Sequence, residues 1–295
     1  MYLIKNTFYH LKKTQEGERI MSHNRFYSLI CTVFFVCLFG GNQALAASVQ
    51  SFEYQTKVGQ ISHLAVVHEN LVLILNDKGA VKEIYMLDSE TEAMNFSFSR
   101  PQDPSLEKIT LSCHGDKENQ TVLYGKNIGD MSAIQYYRRP YDKTNGCFNA
   151  ISMVHDIELD YYKETPFNRK ANLVGRLKKF GSIDIQYYLG TSSAWNGKIK
   201  KINDLRFTYE SWSSYGERAG YIGKYLTIGN IKFDYAEAGS FNKKQNVVGK
   251  IEKIGKIQFK YLSTLSIPHP PKSMMGTFSH IKGTDNRFKI FMPQE

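Results

Sequence analysis

The fold can be predicted from one pattern that recurs along the chain, seen most clearly in Gly249-Lys-Ile-Glu-Lys-Ile-Gly255-Lys-Ile-Gln-Phe-Lys-Tyr261. Residues 175–187, 197–209 and 223–235 fit the same consensus: an opening Gly, a basic residue, apolar residues on either side of a central Gly or Asn, and a closing Tyr. Residues 149–161 fit it everywhere except at the opening Gly and basic residue. Successive units begin 22 or 26 residues apart, and agreement over five units indicates a tandem repeat.

Each unit is predicted to form a β-hairpin. From Ile257 to Tyr261, apolar and polar residues alternate with the period of a half-buried strand. The central Gly or Asn tolerates the positive φ that a tight two-residue turn requires. Ile251 and Ile254 lie three positions apart and would fall on opposite faces of a regular strand, so we expect a β-bulge between them. The alternative is a hairpin with apolar residues on both faces.

The repeats predict an all-β fold. An isolated hairpin is only marginally stable, so neighbouring units must bury one another's apolar faces. We expect tandem β-hairpins with a period of about 22–27 residues, forming a rolled antiparallel sheet or a solenoid-like stack. A small propeller with two hairpins in each blade is a further alternative. Weaker half-units begin at Gly59, Gly79, Ile134 and Gly276, and residues 287–291 are predicted to be the returning strand of the last one.

The N-terminal residues have the pattern of an export signal. Residues 28–40 form an almost unbroken apolar run, with Arg25 before it and Ala44-Leu45-Ala46 after it. This order is typical of a secretory signal peptide, and the run is shorter than the roughly 20 residues of a membrane-spanning helix. We expect cleavage near Ala46 and a secreted or periplasmic protein, with translation starting at Met21. An uncleaved anchor and a lipoprotein are the alternatives.

The sequence divides into four predicted segments. A signal region is followed by an irregular β region, a regular hairpin-repeat domain and a C-terminal capping segment; their bounds are 1–46, 47–148, 149–263 and 264–295. Cys113 and Cys147 are the cysteines that follow the signal region. In an oxidising compartment they are a candidate disulfide, and two unpaired buried thiols are the alternative.

The connections between hairpins suggest a binding surface. The chain has a formal net charge of +10, and Lys and Arg outnumber Asp and Glu in the repeat domain but not in the region before it. An aromatic residue recurs six positions after the closing Tyr and is followed closely by a basic residue, while a Trp occupies the shorter connection. Aromatic rings beside cations can stack on sugars or bases and pair with anions. The candidate binding residues are therefore Phe167, Arg169, Lys170, Trp195, Tyr215, Arg218, Phe241, Lys243 and Lys244. The simpler interpretation is that each aromatic residue packs on its own hairpin.

The sequence offers no recognisable catalytic pattern. It lacks the zinc-protease, serine-hydrolase, phosphate-loop and dinucleotide signatures, so we expect no catalytic residue, metal or cofactor. It also has no specific nucleic-acid motif. We expect a non-enzymatic binding or scaffold protein of the cell envelope or the exterior, which contacts an anionic glycan, a lipid head group or an acidic protein through its basic repeat surface. One alternative is a secreted hydrolase with carboxylates converging from several hairpins, and another is a structural subunit that self-assembles through strand edges.

Overall fold

The fold is known here from a computed structural model. It describes residues 46–98, 103–112, 120–130, 132–137, 150–190, 192, 194–212, 214–264 and 271–293. The candidate disulfide of Cys113 and Cys147 and nearly all of the predicted signal region lie outside these residues.

The described residues form nineteen strands and a few very short helices. The first seven strands are β1 Ser48–Gln55, β2 Gln60–His68, β3 Leu71–Asn76, β4 Val81–Met86, β5 Glu107–Leu111, β6 Thr121–Gly125 and β7 Ile134–Tyr136. The next six are β8 Ile151–Val154, β9 Ile157–Tyr161, β10 Leu177–Phe180, β11 Ile183–Tyr187, β12 Ile199–Ile202 and β13 Leu205–Tyr209. The last six are β14 Tyr225–Ile228, β15 Ile231–Tyr235, β16 Ile251–Ile254, β17 Ile257–Tyr261, β18 Phe278–Lys282 and β19 Lys289–Phe291. The helices are α1 Glu90–Met94, α2 Pro166–Lys170, α3 Ser214–Ala219 and α4 Ser240–Lys244, with a 3₁₀ turn at Lys272–Met274.

The strands form two sheets. A twelve-stranded sheet contains β7 to β18 in sequence order, each strand antiparallel to the next. A seven-stranded sheet has the order β19-β1-β2-β3-β4-β6-β5, with parallel pairing of β1 with β19 and of β4 with β6. The all-β, tandem-hairpin prediction is therefore confirmed, and the long sheet has the antiparallel order expected of a rolled sheet or stack.

The internal geometry of a unit follows from its sequence. Gly181, Asn203, Gly229 and Gly255 have positive φ at the hairpin turns. The register between β15 and β16 shifts beside Tyr235, so that the opening strand is bulged and its first and last Ile are both buried. The predicted bulge is thus confirmed.

The opening Gly of a unit is required by the way units stack. Gly249 has a φ of 75°, and a Cβ placed there would lie 2.0 Å from the carbonyl oxygen of Ala219 in the preceding connection. Gly197 meets the carbonyl oxygen of Ala171 in the same way. A side chain at this position would separate a unit from the connection before it.

The consensus basic residue and closing Tyr also hold units together. The hydroxyl of Tyr261 donates to the carbonyl oxygen of Ile251 in its own unit at 2.5 Å. Lys250 Nζ lies 5.5 Å from the centroid of the Tyr261 ring and donates to the carbonyl oxygen of Gly276 in the next half-unit at 2.6 Å. Arg176 repeats this arrangement, donating to Gly197 at 2.5 Å. These consensus cations therefore serve the packing of the array.

The two sheets share one hydrophobic core. Phe52 on β1 makes edge contacts with Phe233 on β15 and with Phe288, at centroid distances of 5.5 and 5.0 Å. Because both sheets contribute buried aromatic rings to this layer, the small sheet covers the inner face of the repeat array.

Two turns of the small sheet bind the array through the backbone. The carbonyl oxygen of Gly79 accepts from the amide of Ile199, and that of Gly59 accepts from the amide of Ile251, each at 2.9 Å. These glycines therefore begin half-units that belong to the small sheet.

The C-terminal prediction was partly wrong. β18, which follows Gly276, does extend the repeat sheet. However, the strand within residues 287–291 does not return along β18; it pairs in parallel with β1 in the other sheet. The physical reason is that Phe288 is buried against Phe52, which holds this segment over the shared core. The half-unit at Ile134 was predicted correctly, since β7 pairs with β8.

Candidate functional site

The connections between units lie along one side of the twelve-stranded sheet, at the ends of its strands. We call this side the connection edge. It comprises the described parts of residues 162–174, 188–196, 210–222, 236–248 and 262–275. Each connection follows a closing strand and leads into the next opening strand, so that all five occur on the edge opposite the hairpin turns. Because each unit adds two strands at a spacing of about 4.8 Å, equivalent connections lie about 10 Å apart.

Short helices shape three of these connections. In α2, the Oγ1 of Thr165 caps the helix by accepting from the amide of Asn168 at 3.1 Å, and Pro166 stands at the first helical position. Both features favour helix initiation. Asn168 and Asn242 also bind equivalent carbonyls, those of Lys163 and Glu237, at 2.8 and 3.0 Å. The connections with α2 and α4 thus have the same local structure.

Each connection exposes one large apolar side chain among the described residues. We call this series the apolar row; its members and their exposed fractions are Phe167 80%, Leu189 59%, Trp212 76%, Phe241 51% and Met274 48%. Exposed apolar surface of this kind can mark an interaction surface when it is repeated along one side of a protein. The apolar row is therefore a candidate interaction surface on the connection edge.

The candidate aromatic residues have different environments. Phe167 and Phe241 belong to the apolar row. Trp195 is half-buried and packs on Tyr188 at a centroid distance of 6.0 Å, as expected from the simpler packing interpretation. The backbone of Tyr215 lies in α3, and its side chain is outside the described set.

The candidate cations are exposed on the same edge. Arg169 forms an ion pair with Glu164. The others have no ion-pair partner among the described side chains; they are Lys170, Arg218, Lys243 and Lys244. Basic residues in the last turn of α2 and α4 interact favourably with the helix C-terminus, which accounts for their position but leaves the charges available to a partner.

Sequence reasoning missed Leu189, Trp212 and Met274. They do not lie six residues after a closing Tyr, and they are chemically different from one another. What they share is that each is exposed and lies in a connection between units. A search for any large apolar residue in each connection would have found them.

The outer face of the small sheet contains a second candidate site, a cavity of about 560 Å³ that we call the outer cavity. A separate hydrophobic cluster forms its base, where Ala93 of α1 packs near Ala65 and Val67 of β2. Its polar and charged lining residues are Glu53, His63, Glu83, Glu92, Ser97 and Asp103. Its apolar lining residues are Ile74, Tyr85, Leu87, Phe96, Phe98 and Leu106.

Hydrogen bonds orient the carboxylates of the outer cavity. Glu53 Oε2 lies 2.7 Å from His63 Nδ1 and accepts from Ser62 Oγ at 2.5 Å. Glu83 Oε2 accepts from the hydroxyl of Tyr85 at 2.7 Å. Hydrogen bonds from Ser105 hold the pKa of Asp103 below its usual value, which favours the ionised form. The cavity therefore presents fixed negative charge beside aromatic rings.

No described helix combines the length and the apolar character needed to cross a membrane. Within the described ranges, no cluster of three or more His, Cys, Asp or Glu residues is arranged to hold a metal ion. Comparison of the chain with protein-family models, curated proteins and solved structures gave no match.

Proposed function

We propose that this protein is an exported, non-enzymatic repeat scaffold that binds an anionic membrane surface through the connection edge. The apolar row, together with cations beside it that have no ion-pair partner in the described part of the chain, is the observation that supports this function. The export component of the proposal rests on the apolar run of residues 28–40 and the Ala-Leu-Ala site that follows it.

The chemistry of the apolar row favours lipid over the other anionic partners. Phe167 and Trp212 could stack on a sugar ring, but Leu189 and Met274 have no flat face with which to do so. All of these side chains can enter the boundary between head groups and acyl chains, where Trp and Phe are common. An acidic protein would instead require a contiguous packed patch, whereas each connection exposes a single large apolar side chain among the described residues.

The exposed cations supply the electrostatic part of binding. Lys or Arg near an anionic lipid surface contributes about 1 kcal/mol, and this attraction is screened by salt. Lys170, Lys243 and Lys244 lie in or beside the same short helices as Phe167 and Phe241. Cations can therefore meet the head groups while the neighbouring rings enter the interface.

A vesicle-binding experiment with matched variants tests the proposal. The edge variant F167S/W212S is compared with M94S/M292S, which removes two exposed apolar side chains outside the connections. Both are made in the full chain, so residues 1–46 contribute equally. On vesicles of phosphatidylglycerol and phosphatidylcholine, we expect the edge variant to bind at least about tenfold more weakly, since two apolar anchors are lost, and the control variant to bind like the unmodified chain.

The comparison with other surfaces decides the partner. Binding to pure phosphatidylcholine vesicles should be weak, and binding to the anionic vesicles should fall between about 50 mM and about 500 mM NaCl as charges are screened. Equal vesicle binding by the edge and control variants contradicts the proposal. So does retention on an acidic polysaccharide or acidic protein without binding to vesicles, because that result assigns the edge to a different partner.

A further inference from the structure

We infer that the outer cavity is a binding site for a small organic ammonium ion. This site lies on the small sheet and does not depend on the function proposed for the connection edge. The cavity volume of about 560 Å³ suits a small molecule, because ligand pockets commonly measure roughly 300–1,000 Å³.

The charge of the cavity requires a cationic ligand. Four carboxylates line it, and no Lys or Arg occurs among the described residues of the lining. Lys126, which is paired with Asp88, is a nearby cation that interacts with Asp103 and Glu92, and the described lining still carries an excess of negative charge that would repel an anion. A cation would relieve the mutual repulsion of Glu53, Glu83, Glu92 and Asp103.

The hydrogen bonds within the cavity leave the carboxylates able to accept a ligand. The contacts described for Glu53, Glu83 and Glu92 all engage Oε2. In the described residues, no contact engages the second oxygen of these three side chains. The existing bonds therefore fix the orientation of each carboxylate while an oxygen remains for an ammonium group.

The aromatic wall identifies the cation as organic. Tyr85 lies 5.1 Å from Phe96, and Phe96 lies 5.7 Å from Phe98 with the two rings nearly perpendicular. Phe96 and Phe98 are half-exposed and offer ring and apolar surface to a ligand, whereas Tyr85 is buried and stacks on Tyr124 at a centroid distance of 4.7 Å. Such an arrangement favours an alkylated ammonium ion, which gains cation–π and apolar contacts that a hydrated metal ion cannot make. Ile74, Leu87 and Leu106 extend the apolar surface.

Calorimetric titration with charged probes and their neutral counterparts tests this site. Choline is compared with 3,3-dimethylbutanol, its neutral carbon analogue, and benzylamine with benzyl alcohol. We expect each ammonium probe to bind at least about tenfold more tightly than its neutral counterpart, since the carboxylates and rings act on the charge. The use of two shapes tests the chemistry of the site rather than one ligand.

Matched variants locate the binding. In E83Q/E92Q, two carboxylates of the cavity become neutral amides of the same shape, and affinity for choline and benzylamine should fall at least about tenfold. In E90Q/E237Q, two exposed carboxylates outside the cavity are changed, and affinity should remain within about twofold. Circular dichroism melting checks that both variants are folded. The inference is overturned if neither ammonium probe binds more tightly than its counterpart, or if folded E83Q/E92Q binds them as tightly as E90Q/E237Q.

Discussion

The hydroxyl oxygens of Tyr54 and Tyr261 lie 2.7 Å apart, although the two residues are 207 positions apart and belong to different sheets. Tyr261 already donates its proton to the carbonyl oxygen of Ile251. Tyr54 is therefore the donor in the pair, and Tyr261 both accepts and donates. This chain of two hydrogen bonds joins the small sheet to the last full repeat unit.

The two tyrosines should differ in their contribution to stability. Y54F removes one hydrogen bond and should lower the free energy of unfolding by about 1 kcal/mol. Y261F removes both bonds and leaves the carbonyl of Ile251 without its partner, so it should cost about 2–3 kcal/mol. Urea denaturation gives these values, with Y136F as the control because Tyr136 is exposed. A larger loss for Y54F than for Y261F would contradict the assigned donor and acceptor.

Buried tyrosines should make the fold sensitive to alkali. Burial raises the pKa of Tyr54 to about 12 and also raises the pKa values of Tyr209, Tyr225 and Tyr235 well above the usual value. The unfolded chain loses these protons near pH 10 and the folded chain does not, so the stabilisation is complete below pH 10 and declines as the pH rises. Between pH 10 and its pKa in the folded chain, each such tyrosine lowers the free energy of unfolding by about 1.4 kcal/mol for each pH unit.

Tyrosinate absorbance and circular dichroism measured together test the alkaline prediction. We expect the buried tyrosines to remain protonated above pH 10 and to ionise only when the circular dichroism signal of the β-sheets is lost. Ionisation of all tyrosines near pH 10 while the β-sheet signal remains intact would show that these rings are accessible to solvent, contrary to the structure.

A series of Gly→Ala substitutions separates backbone strain from steric exclusion. Gly239 has neither a positive φ nor a close neighbour, Gly220 has a positive φ and open space, and Gly249 has a positive φ and a carbonyl oxygen in the way. G239A should lower the free energy of unfolding least, and G220A should lower it by about 1 kcal/mol. G249A should lower it clearly more than G220A, because the added methyl group also blocks stacking on Ala219. Thermal melting of the three variants gives the order. Equal losses for G220A and G249A would mean that the unit can move away from the connection.

The buried carboxylate of Asp285 should stabilise the C-terminal segment. It accepts from the side chain of Arg287 at 2.6 and 2.8 Å and from the amide of Lys256 at 3.1 Å, and these interactions hold its pKa well below the usual value. Its contribution is therefore present above about pH 4 and is lost as the pH falls below that value. D285N should lower the free energy of unfolding by about 2–3 kcal/mol at pH 7.

Acid titration distinguishes this mechanism from a packing effect. The stability difference between D285N and the unmodified chain should shrink as the pH falls from 4 towards 2. D156N, at an exposed turn position, should have almost no effect at either pH. A D285N deficit that is constant with pH would show that the carboxylate charge is not responsible.

The sequence was sufficient to predict the hairpins, since strand alternation and turn residues are local properties. The pattern from Ile257 to Tyr261 and the positive φ of Gly255 concern residues that are close together in the chain. The same sequence could not show why the opening Gly is required, because the obstructing carbonyl of Ala219 is thirty residues before Gly249.

Long-range relationships account for what the sequence did not reveal. The parallel pairing of β19 with β1 joins strands more than two hundred residues apart, and the burial of Phe288 against Phe52 and the contact of Phe291 with Phe98 favour it. The outer cavity combines residues from β1, β2, β3, β4, α1 and the segment after it, with no common spacing. The apolar row was predicted in part, at Phe167 and Phe241, where the connections have equivalent sequences.

The attachment of Gly79 to Ile199 and of Gly59 to Ile251 limits how this array can evolve. The amides of Ile199 and Ile251 lie two repeats apart in the twelve-stranded sheet, and each donates to a turn of the small sheet. The distance between the two amides must therefore match the distance between the two turns, which is set by the strands of the small sheet that separate them. Duplication or deletion of a hairpin between those amides would leave the carbonyl oxygen of one turn without its donor. Copy number can therefore change at the ends of the array more readily than between its two points of attachment.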